Sequence, residues 1–152
     1  MQNLKSLYVY RPLLNTEDFI KWAKEEGFEK TLPSNDLHVT IAFSKEKMDW
    51  SQFKPEKNKL IVKKGKRSVT LLGEKAAVLK FESNILEKRW KQFIDGGASW
   101  DWDKYQPHVS ITYDGKDIDL SNIKPYNGEL IFGPEQEFKE VDLDWDKKVK
   151  EQ

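Results

Sequence analysis

The same run of elements occurs twice in this chain, at a constant offset of 70 positions, and that repeat constrains the fold more than any other feature. The first copy opens with the alternating run Leu7-Tyr8-Val9-Tyr10, closed by Arg11-Pro12. Asn15-Thr16-Glu17-Asp18 supplies a capping residue and first-turn carboxylates, which predicts a helix start. Phe19, Trp22 and Ala23 form its apolar stripe, Gly27 is placed to stop it, and a strand Leu37-His38-Val39-Thr40-Ile41-Ala42-Phe43 follows. The second copy runs Ala77–Phe81, a cap at Ser83-Asn84, a helix with Leu86, Trp90 and Phe93 on one face, a stop at Gly96-Gly97, then His108-Val109-Ser110-Ile111-Thr112-Tyr113. His38 and His108, Thr40 and Ser110, and Phe43 and Tyr113 all keep the offset.

Two β-α-β units predict a duplicated α+β fold: two pseudo-symmetric lobes, antiparallel sheets around a central cleft, and helices on the outer faces. Further strands are expected over 59–63, 68–72, 129–132 and 138–145. No linker or low-complexity stretch interrupts residues 1–152, so a single two-lobed domain is expected.

Strand alternation gives the repeat chemical meaning. His38 and Thr40 share one face while Val39 and Ile41 share the other, and His108 and Ser110 stand likewise against Val109 and Ile111. The aliphatic face belongs against the helices, which pushes histidine and hydroxyl to the opposite face. The chain has only two histidines, and both lie in this pattern. Histidine titrates near neutral pH, so one imidazole can take a proton while its mate gives one. Thr40 and Ser110 can donate hydrogen bonds to phosphate oxygens where negative charge gathers. A single His-x-Ser/Thr strand is more often incidental; two in matching contexts point to phosphodiester cleavage. Paired histidines also suit zinc, but no HExxH, cysteine or His-plus-carboxylate cluster completes a ligand set, so neither metal nor cofactor is expected.

Charge limits the substrate. Lys+Arg and Asp+Glu both number 26, leaving no overall positive field for a long polyanion. The basic run at 54–68 reads as a solvated β-hairpin rim. A small nucleotide is favoured over long nucleic acid. No apolar run approaches the ~20 residues of a membrane span, and the N-terminus lacks a secretory pattern. Absence of cysteine fits a reducing cytoplasm.

The motifs Leu37-His38-Val39-Thr40-Ile41 and Pro107-His108-Val109-Ser110-Ile111 resemble the 2H phosphoesterase superfamily, a duplicated two-lobed fold with two His-x-Thr/Ser motifs. The opening LYVYRPLL and the Trp-rich segment before PHVSITY resemble, more narrowly, the anti-CBASS nucleases of tailed phages. That resemblance implies metal-independent cleavage of the 3′–5′ bond in cyclic di- and trinucleotide signals of bacterial antiphage immunity, in the host cytoplasm. It implies that His38 and His108 share acid and base roles, with Thr40 and Ser110 gripping the phosphate, and leaves open which histidine is which. A monomer acting on a small cyclic oligonucleotide is expected.

Base stacking on an aromatic ring contributes about 1–3 kcal/mol, so the aromatics are candidate base contacts. Tyr10, Tyr105 and Trp145 are candidates for the substrate, Trp145 through the family resemblance, with Trp100 and Trp102 in the loop before the second motif. Lys104 is a candidate phosphate contact and Glu140 a candidate acceptor for an adenine amino group. Two other readings stay open: a 2′,3′-cyclic phosphodiesterase acting on RNA ends, and a sponge that binds cyclic nucleotides without cutting them.

Overall fold

In the computed structural model, which describes residues 4–141, the two repeated units lie side by side in one sheet. The strands are β1 (Leu4–Pro12), β2 (His38–Asp49), β3 (Leu60–Val62), β4 (Arg67–Leu72), β5 (Ala76–Phe81), β6 (His108–Thr112) and β7 (Leu130–Phe132). Helix α1 (Thr16–Glu25) joins β1 to β2, and α2 (Asn84–Asp95) joins β5 to β6. Five strands form a sheet in the order β1-β2-β6-β5-β4, with every neighbouring pair antiparallel; β3 and β7 make a separate antiparallel pair. The fold is therefore α+β with antiparallel sheets, and the pseudo-two-fold passes between β2 and β6.

Alternation sorts the sheet's faces as the sequence implies. Val39, Ile41, Val109 and Ile111 are fully buried in one apolar cluster with Phe19, Ala23, Leu86 and Phe93 from the helices and Leu60, Leu130 and Phe132 from the small sheet. Each large aliphatic or aromatic side chain so buried contributes about 1.5–3 kcal/mol. The cluster draws on both repeats, which locks the two units to each other through their shared face.

The helices end alike. Gly27 (φ 106°) and Gly97 (φ 110°) both occupy left-handed backbone, the conformation a glycine adopts without strain. Phe28 N–H bonds the Ala23 carbonyl at 2.9 Å and Ala98 N–H bonds the Phe93 carbonyl at 2.9 Å, closing the same C-terminal motif at the same offset.

The helix starts differ. The Ser83 hydroxyl accepts from Leu86 N–H, as a cap should, but Asn15 does not cap α1 with its side chain. Its amide reaches β7 instead, donating to the Glu129 carbonyl at 2.7 Å and accepting from Ile131 N–H at 3.1 Å. Tertiary hydrogen bonds have taken the side chain that local pattern assigned to the cap.

Two other expectations are corrected. The basic segment 54–68 is not a hairpin rim, because β3 pairs with β7 while β4 pairs with β5; the segment crosses between sheets. Arg67 pins the crossing, donating to the carbonyls of Tyr126, Gly128 and Lys63, while Lys63, Lys64 and Lys66 stay solvated. No strand forms over 138–141, where a single bridge joins Lys139 to Tyr8. Phe138 turns inward against Trp50 and Phe93, and the remainder of that expected strand lies outside the described residues.

Candidate active site

Both motif strands begin on their histidine, and they meet at one bridge, Val39 with Val109. In an antiparallel pair this register sets His38 level with Ser110 and Thr40 level with His108. Facing residues point to the same side with Cβ atoms about 4.5–5.5 Å apart, and diagonal ones about 7–8 Å apart. The two histidines therefore hold opposite corners of a small quadrilateral, and the two hydroxyls hold the others.

Each ring is oriented in the same way. His38 Nδ1 lies 2.6 Å from the Asp36 carbonyl and His108 Nδ1 lies 2.9 Å from the Gln106 carbonyl, in each case two residues upstream. A carbonyl oxygen only accepts, so Nδ1 carries the proton in both rings and Nε2 is left as the nitrogen for chemistry. Burial lowers the pKa of both imidazoles, because desolvation disfavours the charged ring. For His38 the Asp36 carbonyl and carboxylate oppose that shift. For His108 the Gln106 carbonyl opposes it, whereas His38 and Lys80 add to it.

The residues around the quadrilateral come mostly from the neighbouring strands. Tyr8 and Tyr10 on β1 stack at 5.2 Å between centroids, and the Tyr10 ring meets His38 edge-on at 5.3 Å. The Tyr8 hydroxyl lies 3.0 Å from His38 Nε2 and donates to it when that ring is neutral. Burial pushes the Tyr8 phenol pKa up, with the Thr40 hydroxyl opposing; burial does the same at Tyr113, with Ser110 opposing. Both phenols stay protonated near neutral pH. On β5, Lys80 is the ladder partner of His108 and Val78 that of Ser110.

Of the residues proposed from sequence, His38, Thr40, His108 and Ser110 converge, and Tyr10 joins them. Tyr105 does not. Its ring stacks on Trp90 at 5.5 Å within the core, it is 9% exposed, and its hydroxyl donates to the Thr40 carbonyl at 2.7 Å. An aromatic ring in a polar loop found apolar neighbours on α2, so it braces the first motif strand from behind and offers no surface to a base. Lys104 and Glu140 are exposed, and among the described residues no contact links them to either motif. Trp145 lies outside the described residues. Trp102 is 54% exposed and packs 6.1 Å from Phe43, itself 6.0 Å from Tyr8, which puts an aromatic surface near the site's rim. Sequence reasoning passed over Tyr8, Tyr113 and Lys80. The signal was available: Tyr8 shares the face of Tyr10, and Lys80 occupies the position of Tyr10 in the second repeat.

Paired His-x-Thr/Ser strands thus stand at the centre of one duplicated sheet. A solved structure described as a phosphoesterase superposes with a TM-score of 0.62, covering 91% of this chain and 99% of that one at 11% identity, which shows the shared fold. The chain belongs to the anti-CBASS protein Acb1 family, whose model matches residues 5–148. Anti-CBASS proteins Acb1 from Caulobacter sp. (strain RHG1) and Sphingomonas paeninsulae are 48% and 47% identical over 97% and 93% of this chain. The chain spans 24% of the length of each of these two relatives. The Acb1 protein of Escherichia phage RB16 is 31% identical over 64% of this chain and 56% of its own length. No helix among the described residues is long and apolar enough to cross a membrane.

Proposed function

We propose that this chain is a phosphodiesterase that opens the 3′–5′ bond of cyclic di- and trinucleotide immune signals, blunting CBASS defence in the cytoplasm of the bacterial host. The observation that carries the reading is the diagonal placement of two Nδ1-anchored imidazoles, with a hydroxyl at each remaining corner. In-line displacement at phosphorus needs a proton acceptor on one side and a proton donor on the other. It also needs donors for the non-bridging oxygens between them.

In the proposed step, Nε2 of one neutral histidine takes the proton of a ribose 2′-hydroxyl. O2′ forms a bond to phosphorus, the bond from phosphorus to O5′ breaks, and Nε2–H of the other histidine gives its proton to O5′. The products are a 2′,3′-cyclic phosphate and a free 5′-hydroxyl. Thr40 and Ser110 donate to the non-bridging oxygens. Both proton transfers come from side chains of this chain. Tyr10 and Trp102 are the proposed stacking surfaces for the bases, and Trp145, Lys104 and Glu140 are further proposed substrate contacts.

Chromatography of products from a panel of cyclic and linear nucleotides, in the presence of EDTA, tests the reading. A 3′,3′-linked cyclic dinucleotide should be converted to a linear product. Recovery of the intact ring after denaturing the protein would identify a sponge, and faster turnover of 2′,3′-cyclic RNA ends would identify an RNA-end enzyme.

Tyr8→Phe removes one hydrogen bond to His38 and keeps the ring that packs on Tyr10 and Phe43. The net worth of such a bond is about 0.5–1.5 kcal/mol, so kcat on the cyclic dinucleotide should fall about 2- to 10-fold with the fold intact. An unchanged kcat would remove Tyr8 from the site.

A further inference from the structure

The two repeats are alike at their motifs and unlike beside them. The face that carries the histidines receives Tyr8 and Tyr10 from β1, whereas the equivalent positions on β5 are Val78 and Lys80. Lys80 is the direct antiparallel partner of His108, so its side chain leaves the sheet on the same side, with Cβ atoms about 4.5–5.5 Å apart. It is half-buried, and among the described residues it has no ion-pair partner. An ammonium without a carboxylate partner, on the face that carries the histidines, is free to meet an anion from outside.

We propose that Lys80 is the cation beside His108: its ammonium meets a non-bridging oxygen of the scissile phosphate and, standing across the ladder from His108, makes His108 the proton acceptor and His38 the proton donor. The proposal deepens the phosphodiesterase reading and rests on it. An anionic phosphate between two imidazoles favours the charged form of both, which would leave no base. A fixed positive charge beside one of them breaks the tie. The charged groups acting on His108 are Lys80 from β5 and His38 from β2; those acting on His38 come from the other side, through the Asp36 carboxylate just before β2. Tyr8, bonded to His38, and Tyr113, beside Ser110, are held protonated and bring no charge; Tyr10 meets His38 edge-on, with the Lys139 ammonium 5.5 Å away over the Tyr10 ring. The proton of the pair therefore sits on His38. The step then balances as O2′–H to His108, the O2′–phosphorus bond formed, the phosphorus–O5′ bond broken, and the proton of His38 passed to O5′.

With only two histidines, the Cε1–H signals of both can be followed in one NMR titration and assigned with His38→Ala. In the wild-type chain His108 should titrate at lower pH than His38. Lys80→Met should raise the His108 midpoint, leave that of His38 nearly in place, and move the acid limb of the kcat/KM profile to higher pH. Cleavage at the plateau should slow about 10- to 100-fold, and Lys80→Arg should restore the His108 midpoint. Should the Met variant not fold, Lys80→Gln serves the same comparison. The proposal is overturned if His108 titrates above His38 in the wild type, or if a folded Lys80 variant keeps both midpoint and rate. Failure of the underlying reading looks different: wild-type protein inert on every nucleotide offered.

Discussion

His108→Ala should lower turnover of a 3′,3′-linked cyclic dinucleotide by about 10²–10⁴-fold, and His38→Ala should do the same. Each substitution removes one of two proton transfers that the proposed reaction needs at a single phosphorus. Because the pair acts as a unit, the double variant should fall little below the weaker single one. Folding is not expected to obscure the result. Both rings lie on the polar face of the sheet and are held through backbone carbonyls, outside the apolar cluster that secures the fold. Steady-state rates with added EDTA, alongside circular dichroism of each variant, supply the measurement. Undiminished turnover in either alanine variant would sink the two-histidine mechanism, whatever the substrate.

Glu135→Ala should lower the unfolding free energy by about 3–5 kcal/mol, the largest stability effect expected outside the apolar core. Glu135 is 2% exposed and accepts both fork bonds of Arg89, at 2.8 Å and 2.9 Å, together with Glu56 N–H at 2.9 Å. Arg11, 4% exposed and bonded to the carbonyls of Asn58 and Gly133, stands in the same field. Deleting the carboxylate leaves Arg89 without its ion-pair partner, Arg11 with Glu56 as its remaining counter-charge, and the Glu56 N–H without that acceptor. The loss also reaches the site. Residues 136–139 lie along β1, with Gln136 N–H on the Tyr10 carbonyl and a bonded pair between Lys139 and Tyr8. Slackening that strap should loosen Tyr8 and Tyr10. Urea denaturation gives the free energy; a loss under 1 kcal/mol would show that the network is dispensable.

Much of this protein is legible without coordinates because its information is local and repeated. Alternation alone separates His38 and Thr40 from Val39 and Ile41, and a second copy at the same offset makes coincidence a poor explanation. Helix ends at Gly27 and Gly97 follow from the steric freedom of one residue type. Pattern failed where a side chain had a choice of partners. Asn15 had the position of a cap and took the edge of β7; Tyr105 had the setting of a loop aromatic and took the face of Trp90. Both choices are decided by what the folded chain brings near, which composition and spacing do not encode.

Sequence by itself determined that two similar β-α-β units exist, that each exposes a histidine and a hydroxyl on one strand face, and that the opposite face is apolar. Only tertiary structure decided that the units join through β2 and β6 in one sheet, with Val39 level with Val109. The reason is physical. Side-chain periodicity is a property of each strand alone, whereas register between strands 70 residues apart comes from how the shared apolar face packs. That register sets the histidines on a diagonal and puts Lys80 beside one of them.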